Sequence, residues 1–419
     1  MTLPVGWKLT TIGEVADINR RNPYLRELPD NLNVTFVPMA AVDAFSGMIA
    51  APRIRSLGEV RKGFTPFSDG DVIFAKITPS MENGKAAVAK DLKNGLGFGS
   101  TEFHVISAKE GLLSTYIYYF IRQESFRRDA KANFAGTAGQ LRVPSSFIGN
   151  YPFPLPPLTE QERIVARIEE LFTQLEAGVA GLKRIQAALK RYKASVLKAA
   201  VSGKLLNGEL VIGDGELPKG WRWVTVGDVA TKVTDGTHKT PRYVDNGVPF
   251  ISVNNISSDG IIDFSDCKFI TSEEHEYLYK RCNPEIGDVL LTKVGTIGLT
   301  AVIKTNTIFS LFVNTALIKP AHEKILPNYL AYVLRYGFIS ESYEEYISGS
   351  TQKFIGNKKI TQLPIPLPTL KEQQRINVEV DQRLSVATQV EATVQVGLKR
   401  AGRLRQAVLK SAFEGKLTA

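Results

Sequence analysis

The residues whose types could do chemistry are few, and their spacing excludes most of it. Cys267 and Cys282 lie fifteen positions apart with no Cys-x-x-Cys, and His104, His238, His275 and His322 fall at no ligand spacing, so no metal centre is expected. Arg21 to Tyr24 reads RNPY and Gly95 to Gly99 reads GLGFG, which echo pieces of a methyl-transfer site. A base clamp of that kind needs a second proline that is missing, and the glycine-rich run leads into strand-like sequence where a cofactor loop would open a helix. Both are read as turns. GDVIFAK and GDVLLTK set Ala75 and Thr292 directly before Lys76 and Lys293, with no second carboxylate for a two-metal nuclease. No Gly-x-x-x-x-Gly-Lys-Ser/Thr loop occurs, so ATP is not bound by that route. The chain shows no catalytic constellation and is not expected to be an enzyme.

What remains is binding chemistry on loops. The formal charge is +10, which points to a polyanionic partner, with nucleic acid ahead of a membrane surface. TDGTHKTPRY places Thr237, His238, Lys239, Thr240 and Arg242 among turn formers, side chains that can touch phosphates and base edges together. ISGSTQKFIGNKK offers Gln352, Lys353, Asn357 and Lys358, and FAGTAGQLRVP puts Gln140 and Arg142 in the same slot of the first half. KITPSMENGK carries Lys76, Asn83 and Lys85, and TKVGTIG carries Lys293; both repeat a strand-end lysine followed by a polar, glycine-containing turn. These residues are the expected DNA contacts.

The elements that must position them are written twice. LPVGWKLTTIGEVA at Leu3 returns as LPKGWRWVTVGDVA at Leu217, YFIR at Tyr119 as YVLR at Tyr332, and SVLKAAVSGKL at Ser195 as AVLKSAFEGKL at Ala407. The chain is one unit of about 210 residues repeated, too long a period for a solenoid and right for a duplicated domain pair. In each copy, short β-rich runs such as VTFVPM, DVIFAKI, EFHVISA, VPFISV and TALIKP alternate with turns, and LSTYIYYFIRQESFRRDA and PNYLAYVLRYGFISESYEEY each fit a helix. With 43% apolar and 22% charged residues, each front segment is expected to be a compact α+β domain.

FPLPPLTEQERI and IPLPTLKEQQRI then close the two domains, and the period becomes helical. Ile164, Ile168, Leu171, Leu175, Leu182, Ile185, Leu189, Tyr192 and Val196 form a heptad seam with Gly178 in its missing slot. Thr159 with Glu162, and Thr369 with Glu372, read as capping boxes; Gly203 and Gly415 read as helix stops. The first helix, Thr159 to Val201, would be roughly 65 Å long. The second seam, over Ile376, Val380, Val390, Val394, Leu404 and Val408, is looser. Both helices start acidic and end basic, which sets acid against base if they lie antiparallel. The fold class is α+β: two similar α/β domains separated by two long helices that form an antiparallel coiled coil, an internal repeat with pseudo-twofold character.

On LPVGW and LPKGW opening the domains, DGTHKTP, the two proline-rich joints and the helix ends VLKAAVSGKL and VLKSAFEGKL, the chain resembles the specificity subunit of type I restriction-modification systems. The resemblance covers nearly the whole sequence. It implies target-recognition domains over 1–153 and 206–365, with spacer helices as shared regions over 154–205 and 366–419. It further implies a split double-stranded DNA target, one half per domain, with helix length setting the gap. Two methyltransferase (modification) subunits would dock on the helices, where Glu160, Gln161, Arg163, Glu372, Gln373 and Arg375 are the expected contacts, and restriction/translocase subunits would join them. S-adenosylmethionine, ATP and Mg belong, on this resemblance, to those partners and not to this chain. The alternative is a stand-alone sequence-specific DNA-binding regulator. Two cysteines, a start without basic and apolar signal regions, and no apolar run near 18 residues lead to the expectation of a cytoplasmic protein.

Overall fold

The computed structural model describes residues 3–137, 141–207 and 217–418. The chain divides into two compact units, Met1–Leu182 with Val396–Ala419, and Lys183–Gln395. Compactness therefore cuts through both long helices, where the sequence reading had set boundaries at the proline joints.

In the first unit, Lys8–Thr11 pairs antiparallel with Pro152–Leu155, so the opening strand is tied to the proline joint. A central antiparallel sheet runs in the order Ala16–Ile18, Phe103–Ala108, Val72–Ala75, Ala86–Val88. A second sheet has the order Arg53–Ser56, Asn33–Val37, Leu96–Gly99, Thr65–Ser68, with its inner pair parallel. Val72–Ala75 is buried on both faces, as its unbroken apolar run requires.

The second unit repeats this plan. Arg222–Thr225 pairs with Pro364–Leu367, and the central sheet runs Ala230–Asp235, Thr315–Pro320, Val289–Thr292, Thr300–Val302. Its second sheet, Lys268–Ile270, Val248–Ile251, Ser310–Leu311, has one strand fewer among the described residues. Every β-rich run singled out in the sequence contains a strand. The two helix readings are shorter than expected. The first breaks into Ser114–Ile121 and Glu124–Ala132 because Gln123 is extended, with ψ of 140°, and the second stops at Ile339 ahead of Glu341, whose φ is +60°.

Each proline joint is held the same way. The Tyr116 hydroxyl donates to the Pro154 carbonyl at 3.0 Å, and the Tyr329 hydroxyl to the Pro366 carbonyl at 2.8 Å. Both tyrosines are fully buried.

The long helices are Leu158–Val201 and Leu370–Phe413. Thr369 and Glu372 form the expected capping box, the hydroxyl donating to the carboxylate at 2.7 Å. Thr159 does not cap the first helix but lies inside it: the helix starts at Leu158, with the amides of Glu160 and Gln161 bonding the Pro157 carbonyl. Pro157 takes the place that Thr369 has in the other copy, so no side-chain oxygen stands there to cap the first helix. Gly203 and Gly415 follow the helices with φ of +73° and +70°, as C-terminal stops.

In the first unit the two helices run antiparallel, with Glu160 meeting Thr418, Glu176 meeting Arg405 at 3.1 Å, and Leu182 against Gly397. In the second unit Lys193 donates to Glu391 at 2.6 Å and to Asp259 at 2.7 Å. Ile164, Ile168 and Phe172 enter the first core with Leu409, Ala412 and Phe413; Val196, Leu197 and Ala200 enter the second with Ile376 and Val380. The seam is not the strict heptad of the sequence. Ile185 and Tyr192 stand 45% and 42% exposed, while Lys193 turns inward to its two carboxylates. A straight helix drifts about 20° per heptad against a 3.5 repeat, so a seam counted by sevens walks off the packed face.

Candidate nucleic-acid interface

In the second unit three loops meet at one end of the central sheet. The strand Ala230–Asp235 ends on a carboxylate that is 2% exposed. Asp235 accepts from the Lys293 ammonium at 2.6 Å and from the Arg281 guanidinium at 2.5 Å, and His238 Nε2 lies 3.5 Å away. Lys293, at the end of Val289–Thr292, also donates to Asn357 Oδ1 at 3.1 Å, and its amide bonds the Asn314 carbonyl. Phe354 bridges to both Val294 and Ser348, drawing the loops at 293–298 and 348–357 together. Of the expected contacts, Thr237, His238, Lys293 and Asn357 therefore gather around Asp235. Lys239, Thr240, Arg242, Gln352 and Lys353 stand exposed on the surrounding loops, and Lys358 on the short helix Asn357–Thr361. Lys293 is 7% exposed and pinned by two partners, so it holds the loops and does not reach outward, contrary to the sequence reading. Lys353 donates to Glu344 at 2.5 Å.

The first unit builds the same junction from different residues. Ile77 and Ala135 both bridge to Arg142, as Val294 and Ser348 do to Phe354, and the Val143 amide bonds the Lys76 carbonyl as that of Ile355 bonds Lys293. The repeat thus sets Lys76 against Lys293 and Arg142 against Phe354. Arg142 grips Glu102 with a two-pronged fork, Nε at 2.8 Å and NH2 at 2.7 Å, and this pairing holds the Glu102 carboxyl below its usual range. Asn83 is exposed, and Lys85 reaches the Met39 carbonyl at 3.0 Å. Gln140 lies outside the described residues.

His104 is buried behind this junction. Asn19 accepts from the Val105 amide with its oxygen, so its Nδ2 donates to His104 Nδ1, and Nε2 then donates to the Val143 carbonyl at 2.8 Å. Burial lowers the His104 pKa, and the ring is neutral with its proton on Nε2.

The residues expected to dock partners separate into two kinds. Gln161 and Gln373 are fully buried, which removes them from any docking surface. Gln161 accepts from the Leu113 amide at 2.8 Å and donates to the carbonyls of Gly111 at 2.8 Å and Pro156 at 3.0 Å. Gln373 does the same with the Leu326 amide and the carbonyls of Lys324 and Pro368. A carboxamide offers one acceptor and two donors, matching a helix start that must be fastened to a loop with one amide and two carbonyls. Glu160 pairs with Arg163 at 2.9 Å, Glu372 accepts from Thr369 and from Trp221 Nε1, and Arg163 and Arg375 are exposed.

Sequence reasoning missed Asp235, Glu102 and Arg281. Asp235 opens the DGTHKTP run, and an acid at the head of a cationic loop was a readable signal for an anchor. Arg281 follows the helix Ser272–Tyr279 in a stretch with no clear repeat, and nothing in the sequence marks it. Cys267 and Cys282 are both free thiols, and burial pushes Cys282 up to about 12. Among the described residues no group of three His, Cys, Asp or Glu could hold a metal ion, and no helix is long and apolar enough to cross a membrane.

Comparison with known proteins agrees with the doubled architecture. Residues 4–182 and 218–395 each match the family model of the type I restriction modification DNA specificity domain. The chain is similar to the EcoEI specificity subunit of Escherichia coli, 26% identical over 94% of this chain and 80% of that one. It is also similar to the EcoKI specificity subunit of Escherichia coli strain K12, 25% identical over 100% of this chain and 90% of that one. Among solved structures, the HsdS subunit from Thermoanaerobacter tengcongensis superimposes with a TM-score of 0.57 at 25% identity, covering 99% and 98% of the two chains. A chain from a study of complex assembly and conformational transition in the type I R-M system shares the fold with a TM-score of 0.75 at 24% identity, covering 99% and 100%.

Proposed function

The chain belongs to the type I restriction-modification DNA specificity family, and from that premise we propose that each unit reads one half of a split DNA target through its three converging loops. It is a specificity subunit, a DNA-recognition component that assembles with other subunits and has no catalytic centre of its own. A stand-alone regulator finds no support in that membership.

The observation that carries the loop assignment is the matched junction: Lys76 and Lys293 occupy the same strand end in both units, yet the side chains around them differ, Arg142 with Glu102 in one and Phe354 with Asn314 in the other. A shared scaffold with unlike tips is what reading two unlike half-sites requires. Lys239, Arg242, Lys353 and Lys358 are suited to phosphates, which fix register without reading sequence. Asn83, Gln352 and His238 carry the groups that pair with base edges. Two modification subunits dock near Glu160 and Arg163 and near Glu372 and Arg375, a restriction subunit joins them, and S-adenosylmethionine, ATP and Mg are bound by those partners.

The test is an exchange of residues 2–150 for the front domain of another family member, with the complete complex expressed and the modified sequences mapped. One half-site changes and the other stays. If both change, or neither does, the one-unit-per-half reading fails.

A further inference from the structure

We propose that Arg281, braced by Asp235, reads a guanine in the half-site bound by the second unit, an inference that rests on the DNA-reading function proposed above. Arg281 lies just past Lys280, the C-cap of the helix Ser272–Tyr279, and the amides of Arg281 and Cys282 both bond the Leu278 carbonyl at 3.1 Å, which fixes the backbone from which the side chain leaves. The guanidinium then lies against Asp235 Oδ1 at 2.5 Å with its side chain still 55% exposed. Asp235 cannot follow a moving arginine, because it is buried and held at 2.6 Å by Lys293. Among the described residues, Nε and NH1 of Arg281 have no hydrogen-bond partner. They border an open groove of about 580 Å³ whose other wall is the loop of Thr237, His238 and Lys239, with Tyr277 at its side.

This arrangement separates base reading from phosphate contact. A phosphate is satisfied by a mobile cation, whereas Asp235, shared between Arg281 and Lys293, leaves one net positive charge in the cluster but fixes the guanidinium in place. A base edge needs directed donors in a fixed plane, and the brace supplies that with one hydrogen of NH2, leaving the other hydrogen of NH2 and the adjacent NH1 side by side to donate. The fork of arginine matches the O6 and N7 acceptors of guanine in the major groove. Among the described residues, the surface lysines Lys239 and Lys358 of the same unit have no such brace.

The experiment uses the chain in complex with its own modification subunits. Modification mapping gives the two half-sites, and the domain exchange above assigns one to the second unit. That half contains a G·C pair at which wild type discriminates against A·T by about tenfold or more, and Arg281→Gln loses this discrimination while binding at other positions keeps its ranking. Arg281→Lys, which keeps the charge and loses the fork, behaves like Arg281→Gln. The inference is overturned if that half has no G·C pair, if Arg281→Gln leaves discrimination intact, or if it weakens all duplexes alike and Arg281→Lys restores them. A wild-type complex that modifies no split sequence strikes the underlying function instead, so the two failures are distinguishable.

Discussion

Replacing Gln161 by Leu tests the idea that the repeated Glu-Gln-x-x-Arg-Ile phrase is a joint and not a docking patch. Leucine fills nearly the same volume but removes one acceptor and two donors. The Leu113 amide and the Gly111 and Pro156 carbonyls, now bonded at 2.8, 2.8 and 3.0 Å, lose their partner, and the Pro156 carbonyl loses it where solvent does not reach. A net hydrogen bond contributes about 1 kcal/mol, and a buried group left unpaired costs about 1 to 3 kcal/mol, so the change should cost about 3 to 5 kcal/mol. That is a large part of the roughly 5 to 15 kcal/mol that keeps a domain folded. Gln373→Leu strips an equivalent set, the Leu326 amide with the Lys324 and Pro368 carbonyls, and should cost the same within about 1 kcal/mol. Hydrogen exchange on the assembled complex reads both directly: Leu113 loses protection in one variant and Leu326 in the other, each without the other. If Leu113 stays protected and the variant instead fails to recruit modification subunits, the joint argument is wrong and the surface argument returns.

Two further outcomes follow from buried groups in the first unit. Because burial depresses the His104 pKa below its ordinary 6.5, the unfolded chain takes up the proton first as pH falls, so stability is full above about 6.5 and declines toward the folded pKa, by at most about 1.4 kcal/mol per pH unit. Urea midpoints between pH 7 and 5 should fall in wild type relative to His104→Gln, and parallel profiles would refute the assignment. Arg405 is 7% exposed, stacked 4.0 Å over Phe172 and 4.6 Å over Phe45, and donates to Glu176; Arg405→Ala should cost about 2 kcal/mol and loosen the Leu409 and Phe413 amides in hydrogen exchange. A variant with unchanged protection there would show that the stack contributes nothing.

The doubling was legible because repeats need no structural knowledge, and the strands were legible because VIFA and VLLT are apolar on both faces. The helix stops at Gly203 and Gly415 were legible because a left-handed residue there suits glycine. The site was legible only as a set of loops. Cations were singled out by type, yet Lys293 and Arg142 are held by Asp235 and Glu102, carboxylates 58 and 40 positions away in sequence, and no local pattern announces such a partner. Gln161 and Gln373 misled for a related reason. Glutamine at a helix start is read as polar surface, and only the loop that folds onto it shows that all three of its groups are used inside.

The division of the chain has a consequence for the order in which the protein is made. The second unit, Lys183–Gln395, is one continuous stretch, whereas the first is built from residues that precede it and from Val396–Ala419, which are synthesised after it. During elongation the rings of Tyr116 and Phe120 wait without Phe413, which packs on them at 5.0 and 5.1 Å, while the second unit already has every residue of its core. Of the two units, the one that begins first on the ribosome is therefore the one completed last, and a chain stopped after Gln395 would damage the first unit while leaving the second whole.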